Sequence, residues 1–190
     1  MIIDNSDIRN LTGKILIATP SVPNVYLNKT MVYICSHNKN GAMGIVINKL
    51  IPNMNVRDIL EKLGINSPNV ENLNIHFGGP EEIDKCFVLH TDDCNIMESV
   101  SVTDRISLTL SGDIIKIMMS EGGPKRKLLC MGCCVWYAEQ LENEVASSYW
   151  VSIDSDEALI FGDAKSDKWS KALLKIGSLS TFFSNSQGNA

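Results

Sequence analysis

Two β-rich runs, Thr30 to Ser36 and Ala42 to Asn48, are joined by His37-Asn38-Lys39-Asn40-Gly41, a connection too short for anything but an antiparallel hairpin. Asn-Gly suits such a turn because both residues tolerate positive φ. Alternation along the strands then assigns the faces. For a two- or four-residue loop, Met31, Tyr33, Cys35 and His37 share a side with Ala42, Gly44, Val46 and Asn48, and this is the side that carries polar groups. The other side, Val32, Ile34, Ser36, Met43, Ile45 and Ile47, is nearly all apolar and is expected in the core.

Around the hairpin the pattern alternates irregularly between strands and helices. Gly13 to Thr19 reads as a strand ended by Pro20. Asn55 is placed to cap a helix carrying Val56, Ile59, Leu60 and Leu63, with Gly64 as its stop. Leu73 to Phe77 and Phe87 to His90 read as strands about the Gly78-Gly79-Pro80 turn, and Ser111 caps a helix through Met119. Leu128 to Met131 is an apolar strand, followed by a helix over Trp136 to Ala146 and a strand from Tyr149 to Ile153. A last helix, capped by Ser166, puts Trp169, Ala172, Leu173 and Ile176 on one face. This mixture predicts an α+β fold with a mixed sheet, one domain over residues 1–177 and a disordered tail over 178–190.

A chain of 190 residues, 44% hydrophobic and 21% charged, can fill one hydrophobic core, and a single domain is expected. The net charge of −5 repels phosphate backbones and anionic membranes, and Lys125-Arg126-Lys127 is too short a basic run to anchor a duplex. Neither direct nucleic-acid binding nor a membrane role is expected. The segment MIIDNSDIRN lacks the basic stretch and apolar run of a signal peptide, so the expected location is the cytoplasm, with the cysteines as free thiols.

The familiar phosphate-loop, dinucleotide, zinc-protease, nucleophile-elbow and calcium-loop motifs are absent from the sequence. Cys130, Cys133 and Cys134 have the spacing of a dithiol, but no second pair or paired histidines completes a zinc set, so no metal and no cofactor is expected. If a helix begins near Trp136, its dipole would lower the pKa of Cys133 or Cys134. Cys35 and His37 lie about 7 Å apart along an extended strand, too far for a direct catalytic pair unless the strand bends.

The order of these blocks resembles the YqgE/AlgH family of bacterial proteins. The resemblance rests on Ile17-Ala18-Thr19-Pro20, Val32 to Asn38, Gly41 to Lys49, Phe77-Gly78-Gly79-Pro80, Phe87-Val88-Leu89-His90, Val102-Thr103-Asp104, Gly132 to Trp136 with Gln140-Leu141-Glu142, and Trp169. It implies a compact α+β fold with a small barrel-like mixed sheet surrounded by helices. The family is largely uncharacterised, and some members carry the label of transcriptional regulator without a recognisable DNA-binding motif. Leu50 stands where members usually have proline, Cys86 where they have glycine, and Gly132-Cys133-Cys134-Val135-Trp136 where a G-Y-A-G-W block is common. Cys86, Cys133 and Cys134 are therefore not expected to carry a chemistry shared across the family.

The expected function is a non-enzymatic regulatory or binding module that recognises a small ligand or protein partner and influences transcription without contacting DNA. Asn48, Lys49, Gly78, Gly79 and His90 are expected to rim its cleft, because an amide, an ammonium and backbone N–H groups together suit a small anion or carboxylate. The alternative is a thiol-dependent enzyme or redox sensor using Cys35 with His37 or His90. A gel-shift assay at physiological salt is expected to show no sequence-specific duplex binding; a nanomolar, competitor-resistant shift with a defined promoter would contradict the charge argument.

Overall fold

In the computed structural model, residues 10–54, 56, 57, 60, 74–94, 96–110, 123–162, 167–174 and 176 are described. The chain runs β1 (Lys14–Ala18), a 3-10 turn (Val25–Leu27), β2 (Met31–Asn38), β3 (Gly41–Val46), β4 (Ile75–Phe77), β5 (Glu81–Thr91), β6 (Ser99–Ser101), β7 (Ile106–Thr109) and β8 (Lys127–Tyr137). Then follow α1 (Gln140–Ala146), β9 (Trp150–Asp154) and α2 (Glu157–Phe161). Residues 168–174 are also helical. The strands form one nine-stranded sheet in the order β6-β7-β5-β8-β3-β2-β1-β9, with β4 on β8. The β4–β8 pair is parallel and the rest antiparallel, so the sheet is mixed as expected.

The sheet curls into a half-barrel, and the core shows why. Ile106 of β7 and Ile15 of β1 belong to one buried cluster with Tyr33, Ile45, Leu89 and Cys130. In a flat sheet β7 and β1 would stand five strand spacings, roughly 24 Å, apart. The bend brings them together, and a Cβ added to Gly13, just before β1, would lie 2.9 Å from Thr103 in the β6–β7 connection. The opposite face is buried too, by a cluster that includes Leu16, Val32, Ile34, Trp136, Leu141 and Trp150. A sheet covered on both sides requires apolar residues at consecutive positions, which is what β1, β2 and β8 supply.

The hairpin forms, with Asn38 opposite Gly41 and only Lys39-Asn40 between them. Its face assignment holds at the turn and fails beyond it. His37 pairs with Ala42 and Ser36 with Met43, but a bulge at Cys35 then shifts the register, so that Ile34 pairs with Gly44, Tyr33 with Ile45 and Val32 with Val46. One extra residue flips every side chain that precedes it. Met31, Tyr33 and Cys35 therefore join Ile45 and Ile47 in the barrel interior instead of forming a polar face with His37.

The expected helix from Trp136 is also corrected. Cys133 to Tyr137 continue β8, because Cys133 and Cys134 fill opposite core clusters and Trp136 packs beside Cys134. Helical geometry could not bury neighbours on both sides of a sheet. The helix starts only at Gln140, after Glu139 in the left-handed region. Strands β6 and β7 and helix α2, whose Asp156 side chain accepts from the Leu159 N–H, have no counterpart in the sequence reading. In the helix expected from Asn55, the described Val56 and Leu60 are buried; the Ser111 helix, the Ser166 cap and the tail lie outside the described residues.

Where the β4–β5 connection crosses β8, glycine is required on both sides. Gly132 has φ +75°, and a Cβ there would stand 2.4 Å from the Gly79 carbonyl oxygen. A Cβ on Gly79 would stand 2.1 Å from the carbonyl carbon of Cys133. Gly132→Ala is expected to cost roughly 2–3 kcal/mol or to prevent folding, read as a lowered urea midpoint. An unchanged midpoint would show that the crossing can relax.

Candidate functional site

The residues expected to form one rim fall into two places. Asn48 to Leu50 run beside β4: the Phe77 N–H donates to the Lys49 carbonyl and the Val46 N–H to the Gly78 carbonyl, so Asn48, Lys49, Gly78 and Gly79 belong to one neighbourhood. His90 does not. It sits on β5 opposite Ser107 of β7 and Lys127 at the start of β8, whereas Gly79 packs on Cys133 farther along that strand.

Within the first neighbourhood, Asn48 is 8% exposed and its amide is spent on backbone. Its Oδ1 accepts the Met31 N–H at 2.7 Å and its Nδ2 donates to the Lys29 carbonyl at 2.9 Å, tying the end of the hairpin to the start of β2. Lys49 is half-buried, which lowers its pKa, and its Nζ donates to the Tyr26 carbonyl at 3.0 Å. Among the described residues no carboxylate forms an ion pair with it. Tyr26, whose carbonyl it meets, and the chain neighbours Val25 and Leu50 are exposed, and Lys29 lies over the Trp169 ring at 6.0 Å. His76, bridged to Leu50, is 4% exposed, and its Nδ1 has no hydrogen-bond partner among the described residues. Burial, reinforced by Lys168, holds its pKa down to about 4, so the ring is neutral at physiological pH. Sequence pattern gave no reason to single out His76, since a histidine before Phe77-Gly78 reads as an ordinary strand residue.

The thiol pair does not form. Cys35 points into the interior cluster, where its Sγ meets the Tyr33 carbonyl at 3.7 Å and burial pushes its pKa up. His37, after the bulge, accepts the Leu11 N–H on Nδ1 at 3.0 Å and presents Nε2 to Glu142 at 3.1 Å. It fastens the N-terminal segment to α1. Burial also raises Cys130 and Cys134, and raises Cys133 to about 11 and Cys86 to about 12. These thiols are protonated core residues, and the helix dipole invoked for Cys133 and Cys134 is absent because both lie in β8. Among the described residues no group of three or more His, Cys, Asp or Glu side chains is placed to hold a metal ion.

The Gln140-Leu141-Glu142 block braces the fold. Glu144, one turn on, accepts the indole N–H groups of both Trp136 and Trp150 on Oε2, at 2.9 and 2.7 Å, and Gln140 on Oε1. The two indoles meet edge to face at 5.9 Å. A shallow depression of about 390 Å³ beside Gln140, Asn143, Glu144 and Tyr149 lies over this brace and contains none of the expected site residues. Lys125 and Arg126 are dispersed toward Asp93 and Glu157 instead of forming a basic anchor.

The AlgH-like family model matches residues 15–180. This chain belongs to the AlgH-like family. A UPF0301 protein of Actinobacillus pleuropneumoniae is 35% identical over 175 residues, covering 90% of this chain and 94% of the relative. One from Rhodospirillum rubrum is 35% identical over 181 residues, covering 95% and 94%. The solution structure of the AlgH protein from Pseudomonas aeruginosa superposes with a TM-score of 0.78 at 27% identity, covering 99% of this chain and all of that one. A Corynebacterium diphtheriae protein shares the fold at a TM-score of 0.68 and 14% identity, over 86% of this chain and 85% of its own. The family resemblance read from the motifs is thus confirmed, and with it the α+β half-barrel. The names of these relatives specify no reaction. Among the described residues no helix is long and apolar enough to cross a membrane.

The Asn48 geometry yields a direct test. Asn48→Ala leaves a buried N–H and a carbonyl without partners, so unfolding free energy is expected to fall by roughly 1–3 kcal/mol. A denaturation midpoint equal to the parent's would mean that the amide holds nothing in place.

Proposed function

We propose that this AlgH-like protein is a non-enzymatic binding module with a regulatory output, and that it influences transcription through a bound partner or ligand instead of through DNA. The observation that carries this reading is Lys49. It is a half-buried cation that meets a neutral carbonyl and no carboxylate among the described residues, beside the exposed side chains of Val25, Tyr26 and Leu50. An acidic group bordered by apolar surface satisfies both features: the charge finds its counter-ion and the apolar side chains lose contact with water. Hydrogen-bonding capacity at buried His76, next to Leu50, that no described residue uses adds to the case. The thiol-based alternative is not favoured, because Cys35 is buried and protonated and His37 is committed elsewhere. The cytoplasm is the location that fits such a module.

A thermal-shift screen of carboxylates, phosphate esters and acidic peptides is expected to find a stabiliser whose effect is lost in Lys49→Ala while the melting temperature without ligand stays nearly unchanged. Equal stabilisation of variant and parent would remove Lys49 from the site.

A further inference from the structure

The second neighbourhood, around His90, holds a buried polar series that reaches a partly exposed edge strand. Ser99 faces Thr109 across the β6–β7 pair, and Thr109 and His90 lie on the same face of β7 and β5. Thr109 and His90 are both 0% exposed, whereas Ser99 lies on the partly exposed edge strand. Three contacts join them in series. Ser99 Oγ is 2.7 Å from Thr109 Oγ1, Thr109 Oγ1 is 2.9 Å from His90 Nε2, and His90 Nδ1 is 2.9 Å from the Thr91 carbonyl oxygen. The Ser99 oxygen also approaches His90 Nε2 directly, at 3.5 Å.

The carbonyl can only accept, so a neutral imidazole must carry its proton on Nδ1 and offer a lone pair at Nε2. Thr109 then donates to His90 and Ser99 donates to Thr109. Every donor in the series points inward, and Ser99, at its outer end, is partly exposed. A hydroxyl connected to a base whose tautomer is set by a third group is the geometry of an activated nucleophile. The backbone supports the exposure, because Glu98 has φ +67° and turns the chain sharply into β6 just before Ser99.

We propose that Ser99 is an acyl-acceptor site: its hydroxyl takes an acyl group from a neutral activated ester, with Thr109 and His90 as the proton relay. The Ser99 oxygen bonds to the acyl carbon and the bond to the leaving alcohol breaks. The Ser99 proton passes to Thr109 as the Thr109 proton passes to His90 Nε2, and the departing alkoxide or phenoxide is protonated from His90 or from water. No oxidant or reductant enters. A neutral donor fits better than an anionic phosphoryl donor, because Glu98, Asp92 and Asp93 lie close in the chain and the net charge is −5. Acceptance of one group leaves a modified module, so this inference goes beyond the Lys49 reading and stands or falls separately from it.

The test uses the full chain with p-nitrophenyl acetate. A burst of p-nitrophenolate equal to the protein concentration is expected, with one acetyl group by intact mass and peptide mapping that places it on Ser99. Ser99→Ala, a change on an edge strand, should abolish the burst at an unchanged melting temperature. Thr109→Val should slow the burst by about 100-fold or more, the scale of general base assistance, and Thr109→Ser should restore it. Acetylation spread over lysines at the same rate in Ser99→Ala would overturn the proposal. So would an equal burst rate in folded Thr109→Val, or a parent chain that acquires no acetyl group at Ser99.

Discussion

The bulge at Cys35 is the constraint from which the rest of the molecule follows. Without it the two-residue turn would set Tyr33 opposite Val46, and Met31 and Cys35 would share their side with His37. With it, residues before the bulge send Met31, Tyr33 and Cys35 into the half-barrel while His37 faces the α1 side. One inserted residue lets a single strand serve two cores and a polar tie. It also bends β2, and bending is what a sheet needs in order to bring β7 toward β1.

The same economy of polar groups runs through the structure. Asn48 satisfies two backbone groups, His37 links Leu11 to Glu142, and Glu144 collects two indole N–H groups. A side chain buried with its hydrogen bonds made is already accounted for by the cost of burying it otherwise. What points to function is the remainder that this accounting leaves. At Lys49 the remainder is a half-buried charge with no carboxylate partner among the described residues, and at Ser99 it is a partly exposed hydroxyl linked through Thr109 to a buried histidine.

The fold was legible where a local pattern and the tertiary environment agreed. Asn40-Gly41 between two β-rich runs marked the hairpin, and Trp169, Ala172, Leu173 and Ile176 marked a core-facing stripe that packs as expected. It was illegible where the environment overrode the pattern. Cys35 carries no mark of a bulge, since its residue type fits a regular strand equally well. Cys133 to Tyr137 look like the approach to a helix, yet a strand buried on both faces needs the same run of apolar residues. Strand β6 is Ser-Val-Ser, too short and polar to stand out, although it presents Ser99. Asn48, Lys49, Gly78 and Gly79 share a neighbourhood because the hairpin end runs beside β4 and the glycine turn that follows it. His90 bonds instead to Thr109, and Ser99 approaches it, on strands whose pairing no local pattern in the sequence marks.

The proposed recognition surface is the one around Lys49, away from the buried thiols and the α1 depression. Chemical-shift mapping on ¹⁵N-labelled protein tests this most directly, with an acidic stabiliser titrated into the full chain. Perturbations concentrated at Val25 to Lys29, Asn48 to Met54 and His76 are the predicted result. Perturbations centred on Gln140 to Tyr149 or on Cys35 and its neighbours, with the Lys49 amide unmoved, would contradict it.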